Sequence, residues 1–179
     1  MKYTKSDIEK YSAFSAGELN DAGICPTCFN RQCGGKIFGN DSERMVFEDK
    51  DIECVLITNP RADGHMIITT KKHFHDLAEC PERINRKIIS YIKELMNIIC
   101  EVYGCERVYL CTMSDGPMNH YHMQLIPRYT YEERGSKNFV KPRKEYFHDQ
   151  VKLDLMRQKI KLFTERRKHK VYNKNKTVV

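Results

Sequence analysis

The chain has 179 residues, is 40% hydrophobic and 10% aromatic, and carries a formal net charge of +7. This composition is typical of a globular domain, and because no run of 18 apolar residues is present we expect no transmembrane helix and no membrane partner. The charged N-terminal stretch MKYTKSDIEKYSAF lacks the apolar core of a secretion signal.

The first half of the chain predicts one short helix, a loop and three strands. Residues 1–22 favour a short helix with Ser6 or Ser15 as its N-cap, and residues 25–43 have the Gly and Asn content of a loop. Two β-favouring runs, 44–49 and 52–60, are expected to join in a hairpin at 49–51. A third strand is expected over 64–73.

Residues 81–104 predict the clearest helix, because apolar side chains recur there at spacings of three and four. Pro81 lies near its start and Gly104 just past its end. The runs 107–114 and 120–128 predict two further strands, the second ending at Pro127. Strands, one long helix and again strands predict an α+β fold, with a five-stranded antiparallel sheet and the helix packed on it.

The positive charge belongs to the C-terminal tail. Residues 151–179 carry ten Lys and Arg against Asp154 and Glu165, a balance of +8, so that residues 1–150 are close to neutral at about −1. Apolar side chains within the tail predict a helix: Val151, Leu155, Ile160, Leu162 and Phe163. We therefore expect a domain over 1–150 and a basic helical tail over 151–179, with its last ten residues disordered.

Cys25 and Cys28 form the sequence CPTC, whose two-residue gap lets both thiolates bind one tetrahedral zinc ion. The pair is only half a site. Candidates for the remaining ligands are Cys33, His73, His75 and His120. A free thiol pair is the alternative, and a thioredoxin-like redox pair is disfavoured because no helix is predicted to begin at Cys25.

Other cysteines predict the redox environment. Cys54, Cys100 and Cys111 lie inside apolar runs, as small core residues do. We therefore expect a reducing, cytoplasmic location rather than a secreted disulfide scaffold.

The stretch HYHMQ places His120, His122 and Gln124 at alternate positions of a predicted strand and therefore on one face. A neutral imidazole with one nitrogen held by a hydrogen bond can attack phosphorus with the other, so His122 is the candidate nucleophile. A structural core histidine would explain a lone His, but not two alternating histidines followed by an amide.

Over roughly residues 24–128 the chain resembles the histidine triad superfamily. HYHMQLIPR is similar to that family's His-x-His-x-His signature, and PRADGHMIITTKKHFHDL to its Pro-x-x-x-Gly-His…Pro-Lys-x-His segment. The resemblance implies cleavage of nucleoside polyphosphates, or of related phosphoanhydrides or phosphoramidates, through a nucleotidyl adduct on His122.

Gln124 stands where most members have the third histidine, as in the branch of galactose-1-phosphate uridylyltransferase and diadenosine tetraphosphate phosphorylase. A carboxamide donates a hydrogen bond to phosphate but cannot shuttle a proton, so Gln124 favours transfer or phosphorolysis over hydrolysis. The sequence leaves open the base, the leaving group and the acceptor.

The resemblance also implies a structural zinc held by Cys25, Cys28, His73 and His120, with Cys33 as the rival fourth ligand. Four protein ligands leave no open position, so the metal would preorganise the site without touching substrate.

Substrate contacts are implied for Ser114, Gly116 and Asn119 before the triad strand and for Arg128 at its end. The stretch SDGPMN lacks the Gly-Gln-x-Val motif that is usual in the family. Ile57 stands where many members have a carboxylate that binds the ribose.

Several further residues are candidates around this site. We expect His65 to make a structural hydrogen bond and His75 to lie at the surface. The long segment 131–146 is expected to form a flap or an interface. Basic side chains that are candidates for binding outer phosphates are Lys71, Arg134, Lys137, Lys141 and Arg143.

Family members commonly form dimers, which implies a homodimer through the helix 81–104. A second hypothesis is a nucleic-acid-associated protein, in which the basic tail contacts phosphates and the cysteine loop is a small zinc module. Both hypotheses hold together in superfamily members that remove adenylate from DNA ends. A third is a catalytically silent protein that senses a nucleotide.

Overall fold

A five-stranded antiparallel sheet lies at the centre of the fold, in the order β1-β2-β3-β5-β4. The structure, a computed structural model, describes residues 1–145 and 147–176, and their side chains except at 136, 139 and 168–176. The strands are β1 (Met45–Glu48), β2 (Ile52–Leu56), β3 (Met66–Thr70), β4 (Arg107–Cys111) and β5 (His122–Arg128). The predicted α+β fold with five strands and one long helix is confirmed.

Helix α5 (Glu82–Tyr103) covers one face of the sheet. Its Ile88, Leu95 and Ile99 are fully buried in one cluster with apolar side chains of β2, β3 and β5. Gly104 ends the helix in the left-handed conformation with φ 70°, which only glycine adopts without strain, as its place after the predicted helix indicates.

Strand β5 begins at His122, two residues later than predicted, and continues through Pro127 to Arg128. Pro127 is tolerated because the pairing of β5 with β3 ends at Leu125, so that its missing N–H costs no hydrogen bond to that strand. The prediction that Pro127 ends the strand is therefore wrong by one residue.

Helix α6 (Gln150–Lys176) packs along α5 and β1. Leu153, Met156 and Ile160 are buried in the same core as the sheet and α5, whereas Val151, Leu155 and Leu162 of the predicted apolar set are exposed. The first turns of the basic tail are thus part of the core of the fold. The division at residue 150 and the disordered end stay predictions; the helical backbone continues to Lys176, and 177–179 lie outside the described residues.

Carboxylates of the protein neutralise part of the basic surface of α6. The ion pairs are Lys152–Asp63, Arg157–Asp154, Lys159–Glu101 and Arg166–Glu94. These side chains are therefore engaged in the fold, and the nucleic-acid contact predicted for the tail stays a prediction. Within the described part of the chain, no helix is long and apolar enough to cross a bilayer.

The N-terminal region contains more helix than predicted. Helices α1 (Lys5–Tyr11) and α2 (Ala16–Asp21) are capped by Thr4 and Ser15, so Ser15 is confirmed as an N-cap while Ser6 lies inside α1. The predicted loop 25–43 contains α3 (Pro26–Gln32) and α4 (Asp41–Arg44). Helix α3 lies near the sheet face opposite α5, where the side chains of the candidate site are found.

Candidate functional site

A cavity of about 500 Å³ opens on the sheet face that α5 does not cover. Alternate residues of β2, β3 and β5 form its floor, among them Val55, Ile67, His122 and Gln124. Residues of α3, of the segment 37–44, of the turn after β2 and of the connection after β5 complete the lining. The alternation predicted for the triad strand thus places both of its last two polar residues in one cavity.

His122 is held in a single tautomer. Its Nδ1 lies 2.8 Å from the main-chain carbonyl oxygen of His120, and because a carbonyl can only accept, Nδ1 carries the hydrogen. The lone pair is therefore on Nε2. Burial is the main factor that lowers the pKa of His122, which favours the neutral imidazole. A neutral, oriented imidazole is what nucleophilic attack requires.

Gln124 is oriented by His65. The backbone N–H of Arg61 donates to His65 Nδ1 at 3.1 Å, so the hydrogen of the neutral His65 ring is on Nε2 and donates to Gln124 Oε1 at 3.2 Å. This fixes the amide so that its NH₂ group faces His122 Nε2 at 3.5 Å. Burial lowers the pKa of His65 to about 3, so this ring stays neutral. The predicted structural hydrogen bond of His65 thus acts directly on the site.

Cys25, Cys28, His73 and His120 converge into one cluster, and their ligand atoms all lie within 4.8 Å of one another. His120 Nδ1 is 3.4 Å from each of the two sulfur atoms, and His73 Nδ1 is 3.7 Å from Cys28 Sγ. These are the four residues that the resemblance implies. His75 lies outside the cluster with an exposed side chain that bonds Glu79.

The geometry of this cluster fits a zinc ion. Zinc–sulfur and zinc–nitrogen bonds of about 2.3 and 2.05 Å at tetrahedral angles put the sulfur and nitrogen atoms about 3.6 Å apart, close to the observed distances. The other ring nitrogen of His120 donates to the main-chain oxygen of Thr70 at 2.8 Å, the outer support that metal-binding imidazoles use. The cluster is therefore compatible with a tetrahedral zinc site.

Cys33 lies apart from this cluster. Its sulfur donates to the main-chain oxygen of Asn30, and its side chain packs with Leu19, Ile24 and Phe29 in a small apolar cluster at the N-terminus. Among the described residues, the donor set therefore contains His120 and His73 rather than Cys33.

Helix α3 begins directly at the Cys-x-x-Cys motif. Cys25 is its N-cap, and its sulfur accepts the backbone N–H of Cys28 at 3.4 Å. The expectation that no helix begins at Cys25 is wrong, because thiols are rare N-caps and the sequence around them has the content of a loop. The absence of a helix therefore no longer argues against a thioredoxin-like redox pair. The two imidazoles beside the sulfur atoms are what favour a metal site over a redox pair.

The loop between β4 and β5 contains three predicted substrate residues. Asn119 donates to Ser114 Oγ at 3.2 Å and to the main-chain oxygen of His75. Gly116 has φ 85°, and a Cβ atom there would collide with the side-chain amide of Asn20. Asn20 of α2 also accepts the N–H of Met118 at 2.8 Å, so it organises this loop, although nothing in the sequence pattern indicates it.

None of these three residues, nor Arg128, belongs to the described lining of the cavity. Arg128 is buried and paired with Glu106, and it donates to the main-chain oxygen of Glu132 at 3.2 Å. The roles predicted for all four in substrate binding stay predictions.

Two carboxylates that the sequence pattern does not single out line the cavity. Asp41 accepts from Arg44 and Asn30, and Glu53 from Arg31. Ile57 also lines it, so the place where many family members have a carboxylate is apolar in this chain.

Comparison with known proteins places the sheet and site in one family. The model of the HIT domain matches residues 39–131, slightly more than half of the chain. The matched range contains His73, His120, His122 and Gln124, whereas Cys25, Cys28 and α6 lie outside it.

Two curated proteins show sequence similarity to the chain. Adenylylsulfatase HINT3 of Arabidopsis thaliana is 26% identical over 131 residues, which is 70% of this chain and 66% of that protein. The chain thus spans just under two thirds of the length of this relative. The HIT-like protein MJ0866 of Methanocaldococcus jannaschii is 27% identical over 97 residues, 52% of this chain and 74% of that protein.

Solved structures share the fold. A histidine triad nucleotide-binding protein of Sulfolobus tokodaii has a TM-score of 0.55 at 22% identity, covering 66% of this chain and 83% of that one. A zinc-bound histidine triad family protein of Mycobacterium smegmatis has a TM-score of 0.55 at 15% identity, covering 68% and 86%. The diadenosine triphosphate hydrolase of Plasmodium falciparum has a TM-score of 0.53 at 15% identity, covering 70% and 81%.

Proposed function

The chain belongs to the HIT domain family, and on that premise we propose that it is a nucleotidyl transferase or hydrolase acting through a nucleotidyl adduct on His122. Its substrates are nucleoside polyphosphates or related phosphoanhydrides and phosphoramidates. The observation that carries the proposal is the position of the His122 ring in the cavity, where Nδ1 bonds the His120 carbonyl oxygen and Nε2 of the neutral ring is left to attack.

The reaction proceeds in two displacements. Nε2 of His122 attacks the α-phosphorus; the nitrogen–phosphorus bond forms, and the bond to the leaving group breaks, its electron pair leaving with that group. An acceptor oxygen then attacks the phosphorus, and the electron pair of the nitrogen–phosphorus bond returns to Nε2. The acceptor is a phosphate or a water molecule, and when water attacks, its proton passes to the surrounding solvent.

We propose that Cys25, Cys28, His73 and His120 hold a structural zinc ion. A bound zinc ion would cross-link helix α3 to two other segments, the one after β3 and the one before β5. Because the carbonyl group of His120 accepts the Nδ1–H of His122, fixing His120 also fixes the nucleophile.

Because position 124 is a glutamine, we propose that the protein belongs to the transferase branch and catalyses transfer rather than hydrolysis. The amide NH₂ faces the nucleophile and can bond a phosphate oxygen, but neither it nor the neutral His65 behind it holds a proton ready for transfer. Such a site suits leaving groups that are stable anions. The name of one sequence relative, adenylylsulfatase, agrees with an anionic leaving group, but it describes hydrolysis, so the proposal of a transferase rests on Gln124 alone.

Product analysis by chromatography tests the proposed function. The protein is incubated with dinucleoside polyphosphates, adenylyl sulfate, nucleotide sugars and adenosine phosphoramidate, with and without inorganic phosphate. We expect turnover of substrates with anionic leaving groups, and faster turnover when phosphate is present. Turnover that ignores phosphate would identify a hydrolase, and absence of turnover on the whole panel would contradict the enzyme and favour the nucleotide sensor.

The variant Gln124→His tests the role of the amide. An imidazole at this position can donate a proton to the leaving group, an effect typically of ~100-fold or more in general acid catalysis. We expect turnover of adenosine phosphoramidate, whose leaving nitrogen needs a proton, to rise at least ~10-fold relative to that of a dinucleoside polyphosphate. Gln124→Met, which is similar in size and has no proton to donate, is the control, and it should not raise this ratio. If the ratio of the two turnover rates does not change, Gln124 does not determine which leaving group the enzyme accepts.

The assembly and location stay predictions: a homodimer, a cytoplasmic protein, and a basic tail that contacts nucleic acid. Part of α5, the helix predicted for the dimer contact, packs against α6 through the rings of Tyr91 and Phe163 at 5.4 Å. A dimer through α5 would therefore have to use the surface that α6 leaves exposed.

A further inference from the structure

Most basic side chains predicted to bind outer phosphates are already neutralised. Lys71 pairs with Glu48, Lys137 with Glu133, Lys141 with Glu132 and Arg128 with Glu106. Within the described side chains, the ion pairs leave Arg134 and Arg143 without a carboxylate partner, and of these two only Arg143 lines the cavity with His122 and Gln124.

Arg143 is brought to the cavity by a strap, residues 140–145, that lies outside the part of the chain matched by the family model. The strap is bonded to the turn between β2 and β3. Arg143 Nη1 donates to the main-chain oxygen of Asn59 at 3.1 Å, and the N–H of Lys144 to that of Pro60 at 3.1 Å. These bonds fix the position of the guanidinium in the lining of the cavity.

A second guanidinium lies beside the strap. Arg61 Nη1 donates to the main-chain oxygen of Lys141, and Arg61 Nε is buried without a hydrogen-bond partner among the described groups. Partial burial and the charge of Arg61 both lower the pKa of Arg143, as expected for two neighbouring cations. Two like charges held together by main-chain carbonyls attract an anion to neutralise them.

The two carboxylates that line the cavity do not neutralise Arg143. Asp41 is engaged by Arg44 and Asn30, and Glu53 by Arg31, on the side of the cavity formed by α3 and α4. The charge of Arg143 is therefore directed at what enters the cavity rather than at the protein's own acids.

We propose that Arg143 forms an oxyanion subsite for the charged leaving group of the reaction, an outer phosphate or a sulfate, and that the charge of Arg61, which does not itself line the cavity, strengthens the positive potential there. The proposal rests on the proposed function of His122. As the bond between the α-phosphorus and the leaving oxygen breaks, its electron pair adds negative charge to the leaving anion, and a planar guanidinium binds such an anion through two parallel hydrogen bonds. Arg143 thereby selects leaving groups by their charge.

The test compares Arg143→Ala with Lys144→Ala, which removes a positive charge from the next residue of the strap. Each variant is assayed on adenylyl sulfate, a dinucleoside polyphosphate and adenosine phosphoramidate, whose leaving ammonia carries no oxyanion. Loss of a charge-assisted hydrogen bond reduces binding ~10- to 100-fold. We expect Arg143→Ala to lower kcat/KM for the two anionic leaving groups by that factor relative to the phosphoramidate, and Lys144→Ala to leave all ratios near those of the wild type.

A smaller effect on adenylyl sulfate than on the polyphosphate would identify the outer phosphate as the natural ligand, and the reverse would identify sulfate. Equal losses on all three substrates, or none, would overturn the subsite while leaving the His122 reaction standing. Titration of inorganic pyrophosphate into the full-length protein provides a readout that needs no turnover. Binding that is as tight in Arg143→Ala as in the wild type would also overturn the proposal.

Discussion

Replacement of His122 by alanine is expected to reduce nucleotidyl turnover by at least ~10³-fold, because loss of the nucleophile in a two-step mechanism removes the covalent path itself. The wild type, stopped during turnover under alkaline conditions, should gain the mass of one nucleotidyl group on the peptide that contains His122, and the variant should not. Among the described residues, the ring of His122 forms hydrogen bonds with the His120 carbonyl and with Gln124, so its removal should leave the fold and the metal content intact.

His75→Ala is the matched control for this experiment. It removes another imidazole, which is exposed and bonds Glu79 outside the cavity. We expect the control to keep turnover within a few fold of the wild type. If His122→Ala keeps more than about a tenth of wild-type turnover, or if the adduct is found on another residue, the nucleophile lies elsewhere and the proposed mechanism fails.

The central part of this fold can be predicted from the sequence because its signals are local. The apolar spacing between Pro81 and Gly104 defines α5, and the alternation of His120, His122 and Gln124 is enough to place polar side chains on one face of a strand. The Cys-x-x-Cys spacing likewise predicts half of a metal site. These two ligands are close in sequence, so their convergence does not depend on the rest of the fold.

The errors come from contacts between distant segments. Helix α3 depends on Cys25 as N-cap, a residue that propensity does not favour there. In the tail, Leu153 and Met156 form the buried face of α6, and the sequence pattern alone favours Val151 and Leu155 because both faces of this charged helix contain apolar residues. Periodicity cannot distinguish two weak faces when packing decides between them.

The same limit applies to the site. Asn20, 95 residues before Asp115, organises the loop that precedes the triad strand, and His65 acts through Gln124, 59 residues later. Arg143 is one of many basic residues in the sequence, and only the fold of the strap places it in the cavity. Functional side chains that are close in sequence can be predicted, whereas the residues that orient them are distant in sequence and are found only through tertiary contacts.

Loss of zinc is expected to have the largest effect on stability, and Cys28→Ser tests it. Structural zinc in small domains contributes ~10–16 kcal/mol of apparent binding free energy, so loss of one ligand should lower the free energy of unfolding by about 5 kcal/mol and Tm by more than ~10 °C. The reason lies in the connectivity of the cluster: Cys28 is in α3, His73 follows β3 and His120 precedes β5, so the metal joins three separate segments.

The measurements are metal content by mass spectrometry and thermal unfolding of the full-length protein, and Cys33→Ser is the matched control. Cys33 is also a buried thiol near α3, but its sulfur contacts Asn30 and the apolar cluster rather than an imidazole. We expect one zinc ion per chain in the wild type and in Cys33→Ser, and less in Cys28→Ser. Zinc retained by Cys28→Ser but lost from Cys33→Ser would make Cys33 the ligand.

The effect of zinc on turnover separates two roles for the metal. Because His120 both belongs to the cluster and accepts the hydrogen bond of His122, chelation should also reduce turnover, whereas His122→Ala should reduce turnover with zinc retained. This asymmetry distinguishes a metal that supports the nucleophile from a metal that only holds the fold.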